Sequence, residues 1–309
     1  MNEERPWFPA RLVLLLCATG LLLSCGGTEP VAPVTATTAS ATVLPTGGAN
    51  PRGTRRRGVH RLAAAPGRGV LKVVYGRLTT EHRKEIQKAF QEERLFEDVV
   101  DSLNATLVLP RNVEIRLLEC KEANAFYDPE SKAILICYEG FEHLMEIFAP
   151  EQQTEAANDE AAQKAVAALV FTFYHELGHA LIDVYDLPVT GREEDAVDQL
   201  ATVMLLETWD EEDSQLSILS SAEAFELDAG ENSDEADLSD EHSLDQQRYY
   251  NLVCWIYGSD PDYFSDVAKD WELPANRAAQ CSGEYARMSA SWNTLLGPHM
   301  RPEEAGPGA

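Results

Sequence analysis

The sequence has few basic residues, and this shortage narrows the classes of protein to which it can belong. Lys and Arg together number 25 against 52 Asp and Glu, a formal net charge of -27 at pH 7. Such a negative chain repels phosphate backbones, so the composition argues against a nucleic-acid partner. Hydrophobic residues still make up 44% of the 309 positions, which is enough for a real core. The length corresponds to one large domain or two small ones.

The apolar run at the N-terminus, residues 12–23, is too short to span a bilayer comfortably. Arg5 and Arg11 precede it, an order typical of a signal peptide. The run ends in Leu22-Leu23-Ser24-Cys25-Gly26, which resembles a bacterial lipobox, where the peptide is cut before a cysteine that receives lipid. We therefore expect a signal peptide over residues 1–24 and an exported, lipid-anchored protein of the cell envelope, attached to the membrane through Cys25. The alternative is an ordinary cleaved signal.

Cysteines are also few, and four of the six lie beyond the N-terminal segment: Cys120, Cys137, Cys254 and Cys281. An even number in an oxidising compartment indicates two disulfides. Three pairings are open, and we favour Cys120–Cys137 and Cys254–Cys281 because each pair brackets one local unit. A zinc site built from these cysteines is less favoured, since no Cys-x-x-Cys pair occurs.

The segment from 25 to 68 lacks hydrophobic periodicity and is rich in Ala, Thr, Pro, Gly and then Arg. This composition predicts a disordered tether. We expect the folded domain to cover residues 69–300, followed by a disordered tail over 301–309.

Within the domain, hydrophobic periodicity predicts strands and helices in mixed order. Strands are expected at 70–75, 113–120 and 133–138, the last two forming a hairpin that a Cys120–Cys137 bridge would staple. Helices are expected at 79–103, 141–148, 155–184, 192–209, 246–257 and 276–296. Between 207 and 245 the chain is acidic with no Lys or Arg, a composition typical of solvated faces or linkers.

One motif carries chemistry: His175-Glu176-Leu177-Gly178-His179, near the end of the longest predicted helix. At spacing i, i+4 on a helix, both imidazoles project from one face and can share a metal ion. Glu176 then points toward a metal-activated water as a general base. The alternative interpretation is that these are two surface histidines on an amphipathic helix without a metal-binding role. The strongly apolar segment 165–173 argues against it, because it makes this a core helix.

A catalytic zinc needs a third protein ligand. On the next predicted helix, Glu194 and Asp198 fall on one face. Glu194 is a candidate ligand, and Asp198 is a candidate partner for the second ring nitrogen of a ligand histidine. An acidic helix start favoured by the macrodipole is the alternative, and it suits Glu193 and Asp195.

The pattern His-Glu-x-x-His followed by Glu-x-x-x-Asp resembles the gluzincin group of zinc metallopeptidases. Residues 69–300 are more closely similar to a bacterial family known only as putative metallopeptidases of unknown function. The matching stretches are 175–181, 187–188, 191–195 and 240–245. The resemblance implies an α+β, zincin-like fold: a small mixed β-sheet, a long active-site helix and a mainly helical C-terminal part. It also implies one Zn²⁺ ion. The link from His179 to Glu194 is short for a gluzincin, which leaves Glu193 open as the third ligand.

A peptidase also needs a group that stabilises the oxyanion. His242, near the start of a predicted helix, is the first candidate, and Tyr185 is another. A capping or surface role is the alternative for His242. By analogy with zincin folds, the segment Asn124-Ala125-Phe126-Tyr127 offers a strand edge to an extended substrate.

The sequence therefore predicts a zinc metallopeptidase that acts on peptide or protein substrates. Two alternatives stay open: an inactive zinc-binding lipoprotein that serves as a binding or structural module, and a zinc amidase that acts on cell-wall peptides.

Overall fold

A four-stranded sheet forms the N-terminal half of the computed structural model, which describes residues 69–149, 154–229 and 239–301. The strands are β1 (Leu71–Tyr75), β2 (Val113–Leu118), β3 (Ala125–Asp128) and β4 (Ala133–Cys137). Their order is β1-β2-β4-β3, so β3 is an edge strand. β2 alternates buried and half-buried residues, as expected for a strand with one face on the core.

The pairing of the strands corrects one prediction. β2 runs parallel to both β1 and β4, and β4 pairs antiparallel with β3 instead. The hairpin expected between 113–120 and 133–138 is therefore wrong, because β3 is inserted between these strands in the sequence and takes the hairpin position. The disulfide Cys120–Cys137 is confirmed, with Cα atoms 5.4 Å apart. This disulfide links the C-terminal ends of β2 and β4, which are neighbouring parallel strands.

Two helices, α1 (Glu81–Glu92) and α2 (Leu95–Thr106), replace the single helix predicted over 79–103. Thr80 caps α1 by accepting a hydrogen bond from the backbone N–H of Arg83. The break falls at Arg94, whose φ of 55° places it in the left-handed region. Neither glycine nor proline marks this break, so the helical spacing of the apolar residues continues across it in the sequence.

Helices make up the remainder of the described chain. They are α3 (Tyr138–Ile147), α4 (Glu155–Tyr185), α5 (Glu193–Thr208), α6 (Glu211–Asp228), α7 (Asp245–Ser259), α8 (Ser265–Asp270) and α9 (Ala275–Leu296). The predicted helices at 141–148, 155–184, 192–209, 246–257 and 276–296 are confirmed within a few residues. The α+β architecture of a small mixed sheet, a long helix and a mainly helical C-terminal part is thus the one predicted. The disulfide Cys254–Cys281 joins α7 to α9, as expected.

The helix α6 was not predicted, because it lies inside the acidic stretch. Its buried face consists largely of small side chains, among them Ser217 and Ala222, so the apolar period is weak. Ser217 donates a hydrogen bond to the backbone carbonyl of Ala167 on α4, which satisfies the hydroxyl in the core.

The helix α4 is the centre of the core. It is long and apolar enough to cross a membrane, yet 89% of its most apolar 18-residue window is buried by the rest of the protein. Its apolar character therefore belongs to a core helix. The predicted signal peptide over 1–24, Cys25 and the tether over 25–68 lie outside the described residues. So does the predicted tail, apart from Arg301.

Candidate metal centre

The last three turns of α4 carry the two motif histidines and Glu176. The four-residue spacing places His175 and His179 on one face of the helix, with ring centroids 5.1 Å apart. His175 and Glu176 are only 5% and 6% exposed. These polar side chains therefore sit at the boundary of the core, where each needs a specific partner.

Gly178 lets the next helix approach this face. A Cβ atom at this position would lie 2.8 Å from both Cβ and Cγ1 of Val197 on α5. Such a distance is shorter than van der Waals contact allows, so the absence of a side chain permits the close packing of α4 and α5. This packing brings the first turn of α5, with Glu194, over the histidines.

Three imidazoles converge on one oxygen of Glu194. Its Oε2 atom lies 3.1 Å from Nε2 of His175, 3.2 Å from Nε2 of His179 and 3.0 Å from Nε2 of His242. Burial alone would raise the pKa of Glu194, but the hydrogen bonds from the three imidazoles hold it far below its usual range. The Glu194 carboxylate therefore favours its charged form at the centre of the cluster.

The other ring nitrogen of each histidine has its own carboxylate. The Nδ1 atom of His175 lies 2.7 Å from Asp198. The Nδ1 atom of His179 lies 2.8 Å from Glu193, and that of His242 lies 2.8 Å from Asp240. A carboxylate at Nδ1 accepts a hydrogen bond from the ring N–H, which fixes the tautomer and turns Nε2 toward the centre of the cluster. Glu193 thus lies outside the cluster centre, on the far side of His179.

These contacts fit a bound cation. In a neutral imidazole that carries its proton on Nδ1, Nε2 is an acceptor, and here it faces the carboxylate acceptor of Glu194. Two acceptors at hydrogen-bond distance require a proton or a cation between them. Burial lowers the pKa of His175, but the hydrogen bonds to Asp198 and Glu194 outweigh it and raise the pKa to about 9, so a proton can take this place. The ligand atoms of His175, His179 and Glu194 lie within 4.8 Å of one another and can hold a metal ion.

Glu176 does not take part in this cluster of ligand atoms. Its carboxylate accepts a hydrogen bond from the backbone N–H of Tyr127 on β3. Burial raises its pKa, and the charges of His175 and His179 lower it by less. Glu176 is thus a carboxyl group held between the sheet edge and the histidines, and its raised pKa suits the uptake and release of a proton.

Arg248 on α7 completes the surroundings of Asp198. Its Nε and Nη2 atoms each donate a 2.9 Å hydrogen bond to the Asp198 carboxylate. Burial alone would raise the pKa of Asp198, but the charge of Arg248 and the hydrogen bond to His175 keep it well below its usual range. The guanidinium also stacks on the ring of Phe225, 3.9 Å from its centroid. Asp198 therefore holds its charge in the core while it orients His175.

The structure brings together most residues that the sequence singled out: His175, Glu176, His179, Glu194, Asp198 and His242. Tyr185 instead stacks on the ring of His299, with centroids 3.9 Å apart. Glu193 contacts Nδ1 of His179 and not the cluster centre, which favours Glu194 as the third metal-binding residue.

Sequence reasoning missed the parts played by Arg248, Arg192 and Asp240. One signal was available for Arg248, because it is the first Lys or Arg after the cation-free stretch 207–245. An isolated cation in so acidic a region is a candidate for a buried ion pair. Nothing local marks Arg192 or Asp240, whose contacts depend on where the segment before α7 packs.

A partly buried cluster of two histidines and a glutamate on consecutive helices can hold a metal ion, and the buried carboxyl group of Glu176 beside it is suited to acid–base chemistry. Comparison with protein families gives the narrower assignment. Residues 75–296 match the family described as "Putative metallopeptidase", and the chain belongs to that family. No curated protein and no solved structure matches the chain.

Proposed function

We propose that this protein is a zinc-dependent metallopeptidase whose ion is held by His175, His179 and Glu194. The observation that carries the proposal is the position of Glu176. It is buried beside the cluster, contributes no ligand atom and accepts a backbone hydrogen bond from the sheet edge. A structural zinc site needs no such carboxyl group, whereas hydrolysis needs a general base.

When bound, zinc supplies Lewis-acid polarisation of a carbonyl group and makes water acidic enough to be deprotonated near neutral pH. Glu176 takes the proton of the attacking water and then gives it to the amine that leaves. His242 serves as the donor to the carbonyl oxygen on which charge develops. Its hydrogen bonds to Glu194 and Asp240 raise its pKa, although burial opposes them.

The free edge of β3 supports a peptide substrate. The N–H of Tyr127 donates to Glu176, so it points away from β4, and the side of β3 that pairs with no strand of this sheet faces Glu176. An extended chain that pairs with this edge brings its backbone carbonyls close to the histidines. The Tyr127 hydroxyl donates to Asp183 of α4, which also pairs with Lys132 and ties the hairpin to the helix.

We also propose that the enzyme works outside the cytoplasm, anchored by lipid on Cys25. The two disulfides support an oxidising compartment. The apolar run that ends at Cys25 supports lipid attachment. Substitution Cys25→Ser should move the protein from the membrane fraction to the soluble fraction. Retention in the membrane fraction would contradict a lipid anchor at this residue.

Zinc content and peptide hydrolysis of the full-length chain test the enzymatic proposal. Wild type should bind about one zinc per chain and cleave members of a fluorogenic peptide library. Glu176→Gln keeps the shape of the side chain, so it should retain zinc and lose about 10²- to 10⁴-fold in rate. The control is Glu92→Gln, an exposed residue of α1.

Equal hydrolysis by wild type and Glu176→Gln would overturn the proposal. Full zinc content with no cleavage of any peptide would favour an inactive binding module. Cleavage restricted to purified cell-wall peptides would favour the amidase alternative.

A further inference from the structure

The segment 239–244, which precedes α7, carries His242, and the position of the His242 ring beside Glu194 depends on how this segment is held. The Nδ1 partner Asp240 belongs to the same segment and also accepts the backbone N–H of His242. These two bonds fix the ring relative to its own backbone. They do not fix the segment relative to the cluster.

Arg192, at the N-terminal end of α5, supplies an anchor from outside the segment. Its Nη1 atom donates a 2.6 Å hydrogen bond to the backbone carbonyl of His242 and lies 3.4 Å from the carbonyl of Glu241. A hydrogen bond from a charged donor to a carbonyl is stronger than a neutral one. Arg192 therefore acts on the backbone of the residue whose side chain faces Glu194.

Two further contacts continue along the same side of α5. The hydroxyl of Ser243 donates a 2.6 Å hydrogen bond to Asp195, and Arg248 binds Asp198. Positions 192, 195 and 198 are three residues apart, so they lie close together on the surface of one helix. The segment and the helix α7 that follows it are thus attached at three successive points to α5, the helix that carries Glu194.

We propose that Arg192 and Asp195 are positioning residues that set the distance between His242 and the metal cluster. The inference rests on the proposed function, in which His242 acts on the substrate carbonyl. It also assigns a role to each residue of the charged run Arg192-Glu193-Glu194-Asp195. Glu194 faces the cluster, Glu193 orients His179, and the outer two residues hold the opposing segment.

A double-mutant cycle between Arg192 and His242 tests the proposal. Arg192→Gln should lower kcat by about 10-fold or more, because misplacement of about 1 Å costs up to 10²-fold. KM and zinc content should stay within about twofold of wild type, since the metal-binding residues are untouched. In the His242→Ala background the same change should have no further effect on kcat.

Matched variants separate positioning from a general loss of stability. Arg192→Lys keeps a charged donor for the carbonyl of His242 and should restore most of kcat. The control is Arg116→Gln, which removes a half-exposed arginine that pairs with Glu114 on β2. It should match wild type. If Arg192→Gln slowed the His242→Ala protein as much as wild type, the effect would not pass through His242 and the proposal would be overturned.

Hydrogen exchange gives a readout that does not depend on activity. Amides of residues 240–244 should exchange faster in Arg192→Gln than in wild type, while α5 keeps its protection. Unchanged exchange in this segment would overturn the inference. If the wild type cleaves no peptide, the proposed function fails and exchange alone decides the anchoring role. Full activity of His242→Ala would overturn the inference but leave the zinc peptidase intact.

Discussion

Arg248 donates two hydrogen bonds, each 2.9 Å long, to the carboxylate of Asp198, inside the protein and directly behind His175. The side chains are only 12% and 4% exposed. A buried ion pair of this kind adds little net stability, but it is costly to break on one side. Its function is to hold a charged carboxylate at Nδ1 of His175, and this gives the first prediction.

Substitution Arg248→Met keeps an unbranched side chain against Phe225 and leaves the charged Asp198 carboxylate without its guanidinium partner. We expect the free energy of unfolding to fall by about 3–5 kcal/mol in urea titrations. Adding Asp198→Asn removes the uncompensated charge and should recover part of this loss. A decrease below about 1 kcal/mol in the single variant would show that Asp198 finds another partner.

Removal of the two neighbouring acids of α5 should affect zinc affinity unequally. Glu193 contacts only the outer nitrogen of His179, so Glu193→Gln should weaken zinc binding by about 10- to 100-fold. Glu194→Gln removes the central carboxylate and should weaken it further. Competition with a chromogenic chelator measures both. The reverse order would assign the third ligand to Glu193.

Substitution Gly178→Ala should destabilise the protein even though alanine is the better helix former. The gain in helix propensity is about 1 kcal/mol, whereas a methyl group 2.8 Å from Val197 forces α4 and α5 apart. Overpacking of this kind costs about 1–3 kcal/mol, so we expect a lower Tm and weaker zinc binding. Val197→Gly in the same chain removes both the Cβ and the Cγ1 atoms that the methyl group would meet, and it should restore the zinc affinity. If it does not, the contact is not the cause.

Asp213, in the first turn of α6, should make stability depend on pH. Burial, together with the charges of Asp210 and Glu212, raises its pKa to about 6. The folded state therefore prefers the protonated form, and its contribution is lost as pH rises from about 4 to about 6. Asp213→Asn should raise the free energy of unfolding at pH 7 by about 1–2 kcal/mol, after allowance for partial exposure. It should change nothing at pH 4. Asp266→Asn, an exposed acid of α8, is the control, and an equal gain at both pH values would exclude titration as the cause.

The features that the sequence predicted well depend on short-range patterns. The helix α4 was predicted because its apolar residues recur over many turns, and its histidines are four residues apart. Both disulfides were predicted because each closes a short loop, of 17 or 27 residues. In these cases the neighbours in space are also neighbours in sequence.

The features that could not be predicted from the sequence depend on long-range pairing or on a single backbone angle. Nothing in the residues of β2 and β4 states that they pair in parallel, because that choice depends on where β3 lies. The turn at Arg94 rests on one left-handed residue. Arg248 meets Asp198 across 50 residues of chain. Such contacts exist only once the tertiary structure has formed.

The three residues proposed to bind the metal fall within 20 consecutive positions, His175 to Glu194, on two helices joined by a short turn. The groups proposed to assist the reaction come from elsewhere: Tyr127 from the sheet and His242 from the segment before α7. On the proposed function, binding of the ion requires only one helical hairpin, whereas hydrolysis requires the whole domain. A partly folded chain would then bind zinc before it is able to cleave a peptide.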